Sequence, residues 1–258
     1  MSPLRVALIG AGRRGRGAHL PVIARMTDRF ELVAVGDVDP EAARVAEEYG
    51  ARGYTSLREL VAQERLDAAV VTVPGDAHPA VVWFLAEQGV PSLVETPIAP
   101  TRPLADLMIA AAARNRVVLE VAENYYRAPV ERLKSAVIAA GAIGAVSRLH
   151  RIFHEGGYHG MSLLRHHAGG APTSVLGIAH ETPVLPHTDR MKRHHARESW
   201  SMGVIDFDNG ALAVMSYSNV IHARSLGRGQ TGIGQIDGTA GTIREESVYT
   251  VPPAEVAV

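Results

Sequence analysis

RVALIGAGRRGRGAHLP, residues 5–21, passes from an aliphatic, strand-like stretch through a glycine-rich turn into an apolar helical pattern. Gly10, Gly12 and Gly15 stand in the spacing G-x-G-x-x-G, and the strand before them and the helix after them are what give that short motif its meaning. Gly10 permits the tight turn, Gly12 lets a diphosphate approach the backbone, and Gly15 lets the helix pack on the strand while its N-terminus faces the anion. Asp37 ends the next strand-like run, ELVAVGD, where a carboxylate can accept hydrogen bonds from the adenosine ribose and repel a 2′-phosphate. NAD is therefore expected over NADP, and Arg13 and Arg14 either offset the pyrophosphate charge or soften that preference.

Outward from the turn, strands and helices keep alternating. PEAARVAEEYG is helical and closes on Gly50, a fitting C-cap. LDAAVVTVP, VPSLVET and NRVVLEVAE read as further strands, separated by the helices HPAVVWFLAEQG and PLADLMIAAAA. This repetition predicts a doubly wound parallel sheet of the Rossmann type in residues 1–122. The pattern then changes. APVERLKSAVIAAG is a helix, AVSRLHRIFH a strand, and SWSMGVIDFD with GALAVMSYS a hairpin turning at Asn209-Gly210. GIGQIDGTAGTI adds another strand and a glycine turn. Residues 123–258 are thus expected to form an α+β domain on an open, mostly antiparallel sheet. The chain as a whole is α/β.

The composition narrows the function classes. With 258 residues, 47% of them hydrophobic and 21% charged, the chain has the make-up of a soluble protein, and no apolar run is long enough to span a bilayer. It opens directly into a strand-like run, so a cytoplasmic location is expected. A net charge of −1 argues against nucleic acid as a partner. With no cysteine, disulfides, thiolate metal sites and cysteine nucleophiles are excluded. Lysine occurs only at Lys134 and Lys192, so a lysine-dependent mechanism has few candidates.

The loop GAGRRGRGAHLP, the segment VTVPGDAHPAVVWFLAEQGVPSLVETPIA, the run NYYRAPVERLKSAVIAAGAIGAV and the turn GTAGTI together resemble the glucose-fructose oxidoreductase and inositol dehydrogenase family, Gfo/Idh/MocA. The resemblance implies a nicotinamide cofactor on the first domain, held in part through Pro74, His78, Glu95 and Thr96. It also implies a substrate-binding and dimer-forming sheet in the second domain, and hydride transfer at a polyol-like or carbonyl substrate. Departures are as informative. Where the family reads Glu-Lys-Pro, this chain has Glu95-Thr96-Pro97, and threonine cannot accept a proton near neutral pH. The family also places an aspartate and, four residues later, a histidine on a helix after a glycine pair. Alignment on Gly177 puts Val175 and Ala179 in those places. The second domain is also short for the family.

Alcohol oxidation needs a proton acceptor as well as a two-electron acceptor. Tyr125, Tyr126, His78 and His159 are the substitutes considered, against bland roles as interface aromatics for the tyrosines and as a helix N-terminal residue capped by Asp76 for His78. Nine of the twelve histidines lie between His150 and His195, with Glu155, Glu181 and Asp189 among them. Their spacing fits no compact metal motif, and no metal ligands are assigned. Three functions stay open: an NAD(P)-dependent oxidoreductase with atypical acid-base residues, a redox-neutral lyase, hydrolase or cyclase using bound NAD, and a non-catalytic partner or sensor. A homodimer through the open sheet face is expected in each case.

Overall fold

The computed structural model describes residues 2–153, 157–188, 194–219 and 233–251. The chain divides into two compact units, Met1–Ala122 and Glu123–Val258.

The first unit alternates strand and helix. β1 (Leu4–Ile9) leads through a wide turn at Gly15–His19 into α1 (Leu20–Arg25). Then come β2 (Phe30–Gly36), α2 (Pro40–Ala43), β3 (Arg52–Tyr54), α3 (Leu57–Gln63), β4 (Ala68–Val71), α4 (His78–Glu87), β5 (Ser92–Val94), α5 (Arg102–Asn115) and β6 (Leu119–Val121). The six strands are parallel in the order β3-β2-β1-β4-β5-β6, so the direction of winding reverses beside β1. β1 shows why its sequence is apolar throughout. Side chains alternate across a strand, and here both faces are covered. Val6 and Leu8 pack with Leu20 and Ile23 of α1 on one face, while Ala7 and Ile9 pack with Val82, Leu85 and Met108 on the other. α4 begins without a side-chain cap, so Asp76 does not play that part.

The second unit contains a 3-10 turn at Tyr125–Arg127, α6 (Pro129–Ala139), β7 (Val146–Phe153), α7 (Gly157–Ala168), β8 (Pro172–Thr188), β9 (His194–Phe207), β10 (Leu212–Ser218), β11 (Ile233–Gly238), β12 (Gly241–Arg244) and β13 (Ser247–Thr250). Its seven-stranded sheet runs β13-β12-β11-β7-β10-β9-β8, antiparallel except where β10 lies parallel to β7. Leu149, Arg151 and Phe153 of β7 point to a buried face that also holds Leu163 and Leu164 of α7, Ile205 and Phe207 of β9, and Ile236. The hairpin at Asn209-Gly210 forms as expected and adds a task. Asn209 Nδ2 donates to the Ala168 carbonyl at 2.7 Å, satisfying an otherwise open carbonyl at the end of α7. Among the described residues no helix is long and apolar enough to cross a membrane.

Candidate active site

The glycine turn takes the conformation its residues suggest. Gly10 has φ +97°, and a side chain there would meet the Val73 nitrogen at 2.7 Å. A methyl on Gly15 would strike the Gly10 carbonyl oxygen and lie 2.9 Å from Thr72 Oγ1, so the helix approaches the strand only because this residue is glycine. Gly12 differs, because a methyl there would meet nothing within 4 Å. The space in front of it is open, as the approach of a diphosphate requires, and so the residues present fit a dinucleotide. Asp37, half-buried at the end of β2, accepts the Ala11 N–H at 2.7 Å and the Asp39 N–H at 3.0 Å. The carboxylate thus braces the turn itself, a role the sequence did not suggest.

Glu95 follows β5 and is 6% exposed. Its Oε1 receives Arg14 Nε at 2.5 Å and faces His19 Nε2 at 2.6 Å, and its Oε2 accepts the Thr96 N–H at 3.1 Å. Burial alone would raise its pKa, but the bonds from His19, Arg14 and Thr96 prevail and hold it at about 2. Glu95 therefore ties the glycine turn to the loop after β5. His19 escaped the sequence reading because its partner lies 76 residues away and no spacing encodes the pair. Arg13 and Pro74 are exposed beside the turn, and Thr96 is half-buried.

His78 requires a correction. It is 1% exposed, and its ring nitrogens each lie 3.0 Å from a backbone carbonyl, of Pro97 and of Val73. No ring nitrogen remains for substrate, so the residue braces the loops after β4 and β5 rather than moving protons.

In the second unit, Tyr125 and His159 come together through a carboxylate that the sequence reading did not weigh. Glu123 Oε2 lies 2.7 Å from His159 Nδ1, and its Oε1 accepts the Tyr125 N–H at 3.0 Å. The Tyr125 and His159 rings stack at 4.2 Å, and Tyr158 closes on the imidazole at 4.3 Å. A carboxylate at Nδ1 selects the tautomer with the proton there, which leaves the Nε2 lone pair to act as a base. No hydrogen bond engages Nε2 among the described residues. Tyr126 sits farther along, its ring 5.2 Å from that of His166. Both tyrosines also pack on the core of the second unit.

The helix the family pattern calls for is misplaced by alignment on Gly177. Val175 and Ala179 lie on the exposed strand β8, so they cannot occupy helical catalytic positions. The helix of this unit that follows a glycine pair is α7, and His159 stands near its start. Glu155 precedes His159 by four residues but stands before the glycine pair rather than after it; with His154, Asp189 and Lys192 it lies outside the described residues. Among the described residues no three His, Asp or Glu side chains gather as a metal site.

Beneath this site is a buried charge network. Glu131 is fully buried and receives Arg151 Nη2 at 2.7 Å and Lys134 Nζ at 3.2 Å, with His167 Nε2 at 3.5 Å. Burial lowers the His167 pKa to about 4; Glu131 opposes that shift, and Arg151 and His166 add to it. The imidazole is neutral at pH 7. Lys134 is thereby committed to structure.

Residues 4–123 match the model of an oxidoreductase family with an NAD-binding Rossmann fold, GFO_IDH_MocA. Inositol 2-dehydrogenase of Renibacterium salmoninarum is 33% identical over 150 residues, covering 57% of this chain and 45% of that protein. D-apiose dehydrogenase of Paraburkholderia graminis is 34% identical over 140 residues, covering 54% and 37%. The matched part thus spans less than half of these curated relatives. In fold, the chain resembles the WlbA dehydrogenase of Bordetella pertussis, whose crystal structure contains NADH and UDP-GlcNAcA, with TM-score 0.81 and 23% identity over 97% of this chain and 83% of that one.

Proposed function

We propose that the chain, whose residues 4–123 match the Gfo/Idh/MocA oxidoreductase family with its NAD-binding Rossmann fold, oxidises a hydroxyl of a polyol-like substrate, or reduces the matching carbonyl, with His159 in place of the usual lysine. The single observation that carries this reading is the Glu123–His159 pair at 2.7 Å. The bound dinucleotide supplies the two-electron acceptor. Gly12 would leave room for its diphosphate in a turn that Gly10 and Gly15 make possible, and Arg13 and Arg14 would supply positive charge. Asp37 favours NAD over NADP. Pro74, Glu95 and Thr96 line the loops beyond. His159 Nε2 takes the hydroxyl proton, and Glu123 stabilises the resulting imidazolium and fixes its ring. Tyr125 holds the other face of the imidazole by stacking.

The test follows nicotinamide absorbance with a panel of polyols, sugars and ketones. His159→Asn is expected to lower kcat by about 10²–10⁴-fold while calorimetric NADH affinity stays at the wild-type value. Glu123→Gln is expected to fall between the two in kcat. Wild-type turnover by His159→Asn would remove the histidine from the mechanism. Absence of any absorbance change across the panel, with NAD copurifying, would instead favour the redox-neutral reading.

A second copy of the chain is the proposed partner. Leu176 and Ile178 on β8, with Met202 paired to Ile178 on β9, share one face of the sheet and are 66%, 56% and 41% exposed, an apolar surface suited to self-association. Sedimentation giving only monomer at micromolar concentration would count against it.

A further inference from the structure

α7 carries a second polar stripe just past His159. Tyr158, Met161, Ser162 and Arg165 follow one another at spacings of three and four residues or their neighbours, so they share one side of the helix. With Tyr126 and His166 they line an open pocket of about 430 Å³, within the size range of small-molecule sites. Its chemistry is one-sided. The lining offers two phenol rings, a hydroxyl, an imidazole and a guanidinium, and no carboxylate. His166 is held in place, its Nε2 2.9 Å from Ser135 Oγ. Arg165 is exposed and has no hydrogen bond or ion pair among the described residues. A second cation borders the pocket, since the Arg127 guanidinium lies 5.3 Å from the centre of the Tyr126 ring.

The pocket adjoins the proposed proton acceptor, because the Tyr158 ring that forms one wall is 4.3 Å from the His159 ring. From residue 159 to residues 165 and 166 the helix rises about 9–10 Å. That is farther than one sugar or cyclitol ring extends. We propose that the substrate acted on at His159 is an elongated anion, carrying a carboxylate or phosphate ester about 9–10 Å from the reacting hydroxyl, with Arg165 binding the charge and Tyr126 and Tyr158 packing the part between. This rests on the role given to His159. Arg165 acts in binding only, as a planar donor that can grip either oxyanion with two parallel hydrogen bonds.

The experiment uses the full chain loaded with NAD. Turnover is compared for maltitol and maltobionate and for trehalose and trehalose 6-phosphate, two-unit pairs long enough to set the charge about 9–10 Å from a reacting hydroxyl, so that the carboxylate and phosphate arms are read separately. The anionic member of a pair is expected to be favoured in kcat/KM by about 10- to 100-fold, the worth of a charge-assisted contact. Arg165→Gln is expected to collapse that ratio through KM, and Arg165→Lys to retain part of it. Equal kcat/KM for neutral and anionic members, or a ratio unmoved by Arg165→Gln, overturns the proposal. Calorimetry with the same four compounds on NADH-loaded protein separates this idea from the redox reading. Heat with an anionic compound that Arg165→Gln abolishes supports the anion site even where no compound turns over. No heat with either anion overturns it even where a neutral member is oxidised.

Discussion

Each unit buries one carboxylate among cationic neighbours, and the two arrangements differ in depth. Glu95 sits at the mouth of the glycine turn, where the Arg14 side chain that reaches it is 54% exposed and a backbone N–H completes its shell. Glu131 is wholly enclosed, and the side chains of Arg151, Lys134 and His167 around it are 3%, 10% and 1% exposed. A buried carboxylate whose cationic partner reaches into solvent can reorganise when a ligand arrives. One surrounded on every side by protein serves to hold α6, β7 and α7 together beneath the site. Exposure of the partners thus separates a carboxylate at the edge of the glycine turn from one that fixes the frame.

The contrast breaks first at Glu131. Glu131→Ala leaves two cations in the core without their counter-charge, and a loss of about 3–5 kcal/mol is expected. Trp83 and Trp200 place one indole in each unit, so single-tryptophan variants followed in urea report each unit separately. The Trp200 transition should move and the Trp83 transition should not. Adding Arg151→Met and Lys134→Met should recover much of the loss; an unchanged midpoint for Glu131→Ala would mean the network does not hold the unit.

Acid should then separate the units. His167 has its pKa lowered from 6.5 to about 4, so the unfolded chain takes up the proton first. Stability from its neutral form is present above about 6.5 and is lost as pH falls towards 4. Glu95 is lowered from 4.5 to about 2, so its contribution is present above 4.5 and is lost only as pH falls towards 2. Each amounts to about 3 kcal/mol. Urea midpoints at pH 7, 5 and 3.5 should show the Trp200 signal failing first, and simultaneous failure would contradict the assignment.

The smallest effects sharpen the comparison inside the first unit. Gly15→Ala forces a methyl against the Gly10 carbonyl and should cost about 1–3 kcal/mol. Gly12→Ala should change stability by less than about 0.5 kcal/mol, yet weaken NADH binding at least 10-fold in calorimetry. Equal NADH affinity in Gly12→Ala would mean the diphosphate does not approach there.

The first unit was legible because its signals are local. Gly10 and Gly15 mark a positive φ and a close contact, and β1 with β4 are apolar because both of their faces are covered. The sheet of the second unit was legible in its hairpin and glycine turn, but the segment between β7 and β9 was not. β8 is exposed along most of its length and so lacks the alternation of a half-buried strand. α7 reads GYHGMSLLRHHA, with two glycines and several poor helix formers, and is stabilised by burying Leu163, Leu164 and His167 and by Asn209 at its end. At the candidate site, Tyr125 and His159 were both named from sequence, and the structure brings them together. Glu123 was missed because it meets His159 across 36 residues. His78 was misjudged because sequence cannot show two carbonyls converging on one ring.

The place of β7 at the centre of its sheet sets a schedule for biogenesis. In the first unit, Arg5 and Glu31 on neighbouring strands are 26 residues apart, whereas Arg148 of β7 must find Asp237 of β11, 89 residues later. At roughly 5–20 residues per second of synthesis, the nucleotide-binding half has time to form while Leu163 and Leu164 of α7 wait on the order of 4–15 s for Ile236 of β11 to complete the floor that covers them. For that interval Leu163 and Leu164 lack the strand that completes their cover, which leaves apolar surface open to water.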